Sequence, residues 1–285
     1  MVTGQSRFGK HAPAWLNAAG DAVVSVFFPA GCRLCDQLLT RATRVPICDE
    51  CLASFCPLPP SVCTICGAPV VTPFSTVPGA ASEPETLANL DAPSRGCLQC
   101  QGRTFAHERA LSYAAYGGQL AKTIILLKFE RVEPLAAWLA EKLAIVATRE
   151  AVAADIVVPV PLHSQRESER GYNQAGLFAR PLAKRLGLPY RPVLLMRTKP
   201  RPDKRVLSFS ERWESVRGAF ATRPGSRVDN LRVLLIDDVR TTGATLDACS
   251  KALLLAGAKS VVGLTVARAV RHPLSSPDVS RSDEF

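Results

Sequence analysis

The chain lacks any apolar run long enough to cross a bilayer, which excludes a membrane-spanning helix. The best candidate, Trp15 to Phe28, is one helix long and carries Asn17 and Asp21. Asp21 also interrupts the apolar stretch that a signal peptide needs, and Phe27-Phe28-Pro29 is a poor cleavage site. The segment reads as a short amphipathic helix lying on the body of the protein, and a cytoplasmic location is expected. Aromatic residues are scarce, at 6%, and are not interleaved with basic ones. A dedicated surface for stacking single-stranded nucleic acid therefore has little support from the residues alone. A Walker A loop is also missing. Gly4-Gln-Ser-Arg-Phe-Gly9-Lys10-His11 lacks the closing Ser or Thr and follows no strand. That removes the ATPase reading which the acid-ended strand Leu234-Leu-Ile-Asp-Asp238 would otherwise invite.

Acidic residues are in deficit: 25 against 35 basic ones, a formal net charge of +10. Such a balance favours anionic partners, whether phosphorylated small molecules or nucleic acid. Much of the positive charge is arginine, clustered at Arg166, Arg170, Arg180 and Arg185 and again from Arg197 to Arg217. Its planar fork suits phosphate oxygens. With 285 residues, there is room for one ordinary domain and a smaller module.

Cysteine is the residue present in excess. Eight of the ten fall in four Cys-x-x-Cys pairs: Cys32 and Cys35, Cys48 and Cys51, Cys63 and Cys66, Cys97 and Cys100. Two intervening residues let one tight turn aim both sulfurs at one ion, and four thiolates complete a tetrahedral zinc site. A disulfide framework is the competing explanation, but nothing in the chain signals secretion. Sequential pairing would place the first four cysteines on one ion and the last four on another; a cross-braced arrangement alternating the pairs stays open. The stretch 69–95, rich in Pro, Ser, Thr and Ala, reads as a flexible insertion within the second set. Closed four-sulfur sites would be structural. Cys249 falls on an apolar helix, where a small buried thiol is the natural reading.

The stretch richest in chemistry is Leu231 to Thr245. Val233 to Ile236 is a short aliphatic run suited to a strand covered on both faces. Asp237 and Asp238 follow where that strand should emerge. Thr241, Thr242, Gly243, Ala244 and Thr245 then open a helix with apolar spacing that stops at Gly257. Unpaired first-turn N–H groups and the helix dipole make such a start an anion site. Two acids beside it would repel a bare phosphate but suit the hydroxyls of a sugar phosphate.

Upstream, Ala110 to Tyr116 reads as a strand, residues 120–128 and 134–146 as helices, and residues 155–160 as a second buried strand. A polar loop from His163 to Tyr172 follows, then a helix over 173–186 and strands over 192–196 and 260–266. Alternation of this kind predicts a parallel sheet with ligands at the carboxyl ends of its strands.

The acid pair and its Thr-Thr-Gly-Ala-Thr loop resemble the phosphoribosyl pyrophosphate (PRPP) motif of type I phosphoribosyltransferases. The stretch from Val158 to Gln174, read as VPVPLH followed by Arg166, Arg170-Gly and Asn173-Gln174, resembles the signature of the ComF competence family, a branch of those proteins. With the cysteine pairs ahead, the resemblance covers residues 27–268. It implies an α/β, type I phosphoribosyltransferase fold, a parallel sheet flanked by helices, behind a small N-terminal cysteine-rich zinc module. The expected domains are 1–105 for the N-terminal helix and zinc module, 106–270 for the transferase-like domain and 271–285 for a disordered tail.

The resemblance also implies roles. Asp237 and Asp238 would hold the ribose hydroxyls, and Arg240, Thr241, Thr242, Gly243, Ala244 and Thr245 would wrap the 5-phosphate. His163, Arg166 and Arg170 would form the pyrophosphate loop, although His163 could simply cap local backbone and Arg170 could pair with Glu167 or Glu169. Residues 197–220 correspond to a lid, with Lys204, Arg205 and Arg212 as its basic candidates. Family members carry a glutamine near its start and an asparagine near its end, and here neither is present, Ser215 standing at the second position. Trp213 would anchor this segment or stack on a base, and the anchor is favoured. Mg²⁺ would accompany PRPP, and single-stranded DNA and the competence helicase machinery are the candidate partners. Enzyme, DNA-handling accessory and PRPP sensor without turnover are the three functional readings.

Overall fold

Ile156-Val-Val-Pro159 and Val233-Leu-Leu-Ile236 bury every side chain, as strands must when helices cover both faces of a sheet. In the computed structural model, which describes residues 30–39, 44–59, 63–69, 97, 100–200 and 208–269, they lie side by side in one parallel sheet. The chain divides into two compact units, Met1–Ser54 and Phe55–Phe285. The second cysteine set belongs to the larger unit.

In the smaller unit, the described residues form a cysteine turn at residues 33–35 and the short helix α1 (Asp49–Ala53). The larger unit is built on β1 (Arg109–Ala115), β2 (Ile156–Pro159), β5 (Arg232–Arg240) and β6 (Ser260–Arg268), in the order β1-β6-β5-β2 and parallel throughout. Helices α2 (Gly118–Phe129) and α3 (Glu133–Arg149) follow β1; α4 (Ser164–Arg170) and α5 (Gln174–Leu186) follow β2; α7 (Ala244–Leu255) links β5 to β6. Helix α3 packs on β1, β6 and α5, while α5 packs on β2 and β5. The alternate strand residues Ile156, Val158, Val233, Leu235 and Val261 join Leu246, Cys249 and Leu253 of α7 in one core cluster. Asp155 accepts three hydrogen bonds from Arg232, one from the backbone and two from the guanidinium. This fixes the β2–β5 register at the end remote from the acid pair.

Two segments differ from the sequence expectation. The strand expected over 192–196 is the shorter β3 (Leu195–Arg197). It pairs antiparallel with β4 (Phe220–Thr222) in a separate two-stranded ribbon and does not extend the main sheet. The polar loop expected over His163–Tyr172 contains α4, capped by His163 at its start and by left-handed Gly171 (φ 77°) at its end. This helix buries no residue, so it leaves no apolar periodicity to read. The N-terminal helix, the insertion 69–95 beyond Pro69 and the tail 271–285 lie outside the described residues, as does the Walker-like stretch at 4–11.

Candidate functional site

Both cysteine sets form sequentially paired clusters. Cys32, Cys35, Cys48 and Cys51 gather their sulfurs within 4.8 Å of one another, and so do Cys63, Cys66, Cys97 and Cys100. All ten cysteines are free of disulfides. The Sγ separations of 3.7 Å (Cys35–Cys48) and 3.5 Å (Cys66–Cys97) approach the ~3.8 Å edge of a tetrahedron with zinc–sulfur bonds of about 2.3 Å. Backbone N–H groups favour thiolates: Cys48 and Leu34 donate to Cys32 Sγ, and Cys97 donates to Cys63 Sγ. Burial works against the Cys32 thiolate, but these N–H donors outweigh it and draw the thiol down to about 6. Both donor sets therefore fit a metal ion, and all-sulfur ligation leaves no open coordination position.

The acid pair ends the buried run of β5, at the carboxyl end of the sheet. Successive strand residues leave on opposite faces, and the two acids meet different surroundings. Asp238, 8% exposed, forms an ion pair of 2.9 Å with Lys128 of α2 and accepts a 3.3 Å hydrogen bond from Gln174 Nε2 at the start of α5. Asp237 accepts a hydrogen bond from the backbone of Asp238. Burial, reinforced by the neighbouring Asp238 charge, pushes the Asp237 carboxyl up to about 8.

The loop after β5 has the form the sequence predicts. Thr241 is exposed, Thr242 and Thr245 are half-buried, and Gly243 and Ala244 are buried. Gly243 is the N-cap of α7 with φ 86°, and no side chain caps the helix there. Thr242 Oγ1 accepts from the Ala244 N–H at 3.3 Å. The exception is Arg240. Its side chain is buried and turned inward, with Nη1 donating to the Cys66 carbonyl at 2.8 Å, so it does not line the loop mouth.

Of the residues expected to form a pyrophosphate loop, His163 accepts at Nδ1 from the Gln165 N–H and caps α4, the plainer of the two roles considered. Arg166 is half-buried on the same helix. Arg170 pairs with neither Glu167 nor Glu169. Its Nη1 donates to Gln174 Oε1 at 2.5 Å, and its guanidinium stands over Phe129. A chain of polar contacts thus runs from Arg170 through Gln174 to Asp238 and Lys128. Lys128 and Gln174 are the partners of Asp238 that sequence reasoning passed over. The apolar spacing of α2 gives no hint that Lys128 faces the acids, while Gln174 stands inside the quoted motif.

In the lid region, Lys204 and Arg205 lie outside the described residues. Arg212 lies on α6 (Phe209–Glu214), a helix closed by a Ser208–Glu211 capping box. Trp213 packs on the core cluster and stands 6.0 Å from Phe105 and 6.3 Å from Phe209, which makes it an anchor.

The fold is a parallel α/β sheet in which β5 ends in an acid pair and a glycine-hinged loop, with a four-cysteine cluster against the edge strand β1. Comparison with known proteins carries the assignment. The DNA utilization protein YhgH of Salmonella typhi is 32% identical over 174 residues, which is 59% of this chain and 76% of that protein. Competence protein F of Haemophilus influenzae is 35% identical over 116 residues, 40% of this chain and 51% of that protein. Among solved structures, glutamine PRPP amidotransferase from Bacillus subtilis matches with a TM-score of 0.35 and 24% identity, covering 50% of this chain and 30% of that one. No protein-family model matches. The chain belongs to the ComF family of competence and DNA utilization proteins. Among the described residues, no helix is long and apolar enough to cross a membrane.

Proposed function

We propose that this chain binds PRPP and transfers its phosphoribosyl group to a nitrogen acceptor. The observation that carries the reading is the juxtaposition, at the carboxyl end of β5, of Asp237 and Asp238 with the Thr241–Thr245 loop. The N–H groups at the start of α7 would take the 5-phosphate, supplying remote binding energy that aligns the ribose. The acids would take the 2- and 3-hydroxyls, and the negative charge of Asp238 would favour the positive charge that grows at C1. Arg170 and Arg166 would hold the diphosphate, with Gln174 coupling that end of the site to Asp238. A bond forms between the acceptor nitrogen and C1 as the C1–oxygen bond breaks and pyrophosphate departs. Mg²⁺, bound mainly by substrate oxygens and water, would neutralise the leaving group. Lys204, Arg205 and Arg212 would belong to a cover that excludes water from the reacting carbon. Zinc on the two four-cysteine clusters would be structural, consistent with a reducing, cytoplasmic setting.

Calorimetry of PRPP with Mg²⁺ tests the reading. The wild type should bind, and an Asp237→Asn, Asp238→Asn chain should not. Silence from a folded, zinc-loaded wild type would overturn it. Loss of PRPP with an added acceptor would mark an enzyme, and binding without turnover a sensor.

A second reading is handling of single-stranded DNA, favoured by the net charge of +10 and by relatives named for DNA utilization and competence. Affinity should then fall steeply with salt and survive the double Asp→Asn substitution. A helicase of the competence machinery would be the partner to test next.

A further inference from the structure

Arg240 and Arg268 are register partners at the ends of the adjacent strands β5 and β6. They are 3% and 2% exposed, and both donate through Nη1 to one acceptor, the backbone carbonyl of Cys66. The Nε of each has no partner. Among the described residues, neither forms an ion pair with a carboxylate. Two guanidiniums buried side by side without an acid are a heavy electrostatic load, and a single shared carbonyl does not balance it.

A balancing anion is available next door. Cys66 is one of the four clustered cysteines, and four thiolates around one divalent ion carry a net charge of −2. Two guanidiniums cancel that charge. The cluster is also held firmly on this edge of the sheet. Ala110 of β1 donates its N–H to the Ile65 carbonyl at 2.9 Å. Gly67 (φ +63°) lies so close to β1 that a Cβ would come within 2.7 Å of the Ala110 carbonyl oxygen. On its other side the Arg240 guanidinium lies against Gly243, where a Cβ would meet Nη2 at 2.6 Å. One side chain thus touches both the cysteine turn and the hinge of the phosphate-type loop.

We propose that Arg240 and Arg268 are the buried countercharge of a tetrathiolate metal centre at Cys63, Cys66, Cys97 and Cys100, and that Arg240 ties this centre to the Gly243 turn. Occupancy of the second centre would then set the order of the loop. The inference rests on the metal reading given above, and not on PRPP.

The test uses the full-length chain loaded with zinc. Wild type should hold two ions, and Arg268→Gln should weaken one of them by about 10- to 100-fold in competition with a chromogenic chelator, leaving the Cys32 set as an internal control. Arg268→Lys, which keeps the charge, should lie between the two. A second measurement leaves the arginines untouched. In a Cys32→Ser, Cys35→Ser chain, chelating the remaining ion should speed amide exchange across Thr242–Thr245. A folded Arg268→Gln chain that holds both ions like wild type overturns the countercharge, and unchanged loop exchange on chelation overturns the tie. A wild type that never loads the second cluster would overturn the metal reading, and this inference with it.

Discussion

Lys128 Nζ lies 2.9 Å from Asp238 Oδ2, so the second acid of the candidate site is held by a lysine from a helix far away in the chain. The pair is mostly shielded from solvent, with side chains 28% and 12% exposed. Removing one member of such a pair leaves the other charge stranded. Lys128→Met, which keeps most of the apolar stem, should therefore destabilise the protein by about 2 kcal/mol. Gln174→Leu, which removes the hydrogen bond to the same carboxylate and the one accepted from Arg170, should cost about 1–3 kcal/mol. Urea unfolding of both variants checks this, and a Lys128→Met chain as stable as wild type would remove the pair from the account.

Gly243 supports a second prediction because two effects act there together. An alanine at φ 86° bears a backbone penalty of roughly 1–2 kcal/mol, and its Cβ would also collide with Arg240. Gly225 has φ +77° with nothing within 4 Å of a built Cβ, so Gly225→Ala isolates the backbone penalty. Gly243→Ala should be the more destabilised of the two in thermal melts, and PRPP binding should be lost only there. Equal melting shifts would mean that the Arg240 contact yields at no cost.

The parallel sheet and the position of the acids were legible because continuous aliphatic runs, an acid-ended strand and a small-residue helix start are all local signals. The four cysteine turns were legible for the same reason, whereas their sequential grouping needed coordinates. Arg240 could not be placed by pattern. A strand-end arginine beside a phosphate-type loop has the residue type expected of a ligand contact, yet its side chain turns to the backbone carbonyl of Cys66. Lys128 and Gln174 were hidden because the contacts that define them are tertiary. Helix α4 was hidden because no buried face marks it.

Asp237 should make stability fall as pH rises from 3.8 to about 8. Its carboxyl is raised from the usual carboxylate range to about 8 by burial and by Asp238. Between those values the folded protein holds a proton that the unfolded chain has released, so the contribution is complete at low pH and is lost as pH rises through about 8. Asp237→Asn should melt like wild type near pH 4 and above it at pH 9, while losing PRPP. If the decline between those values persists in Asp237→Asn, its origin lies elsewhere.

His107 works in the opposite sense. It is 3% exposed, and neither ring nitrogen has a hydrogen-bond partner. Burial holds it down to about 4 from 6.5, although the Asp247 carboxylate pulls the other way. Between those two values the unfolded chain takes up a proton that the folded protein refuses, so stability is full above pH 6.5 and falls towards pH 4. The loss should reach about 3 kcal/mol. His107→Leu removes the titrating group and two unsatisfied nitrogens, while Asp247 keeps its contacts with the Ala106 N–H and Lys251. The variant should equal or exceed wild type at pH 7 and lose much less between pH 6.5 and 4. Parallel acid limbs for the two proteins, measured by urea unfolding across that range, would show that His107 is already paired in solution.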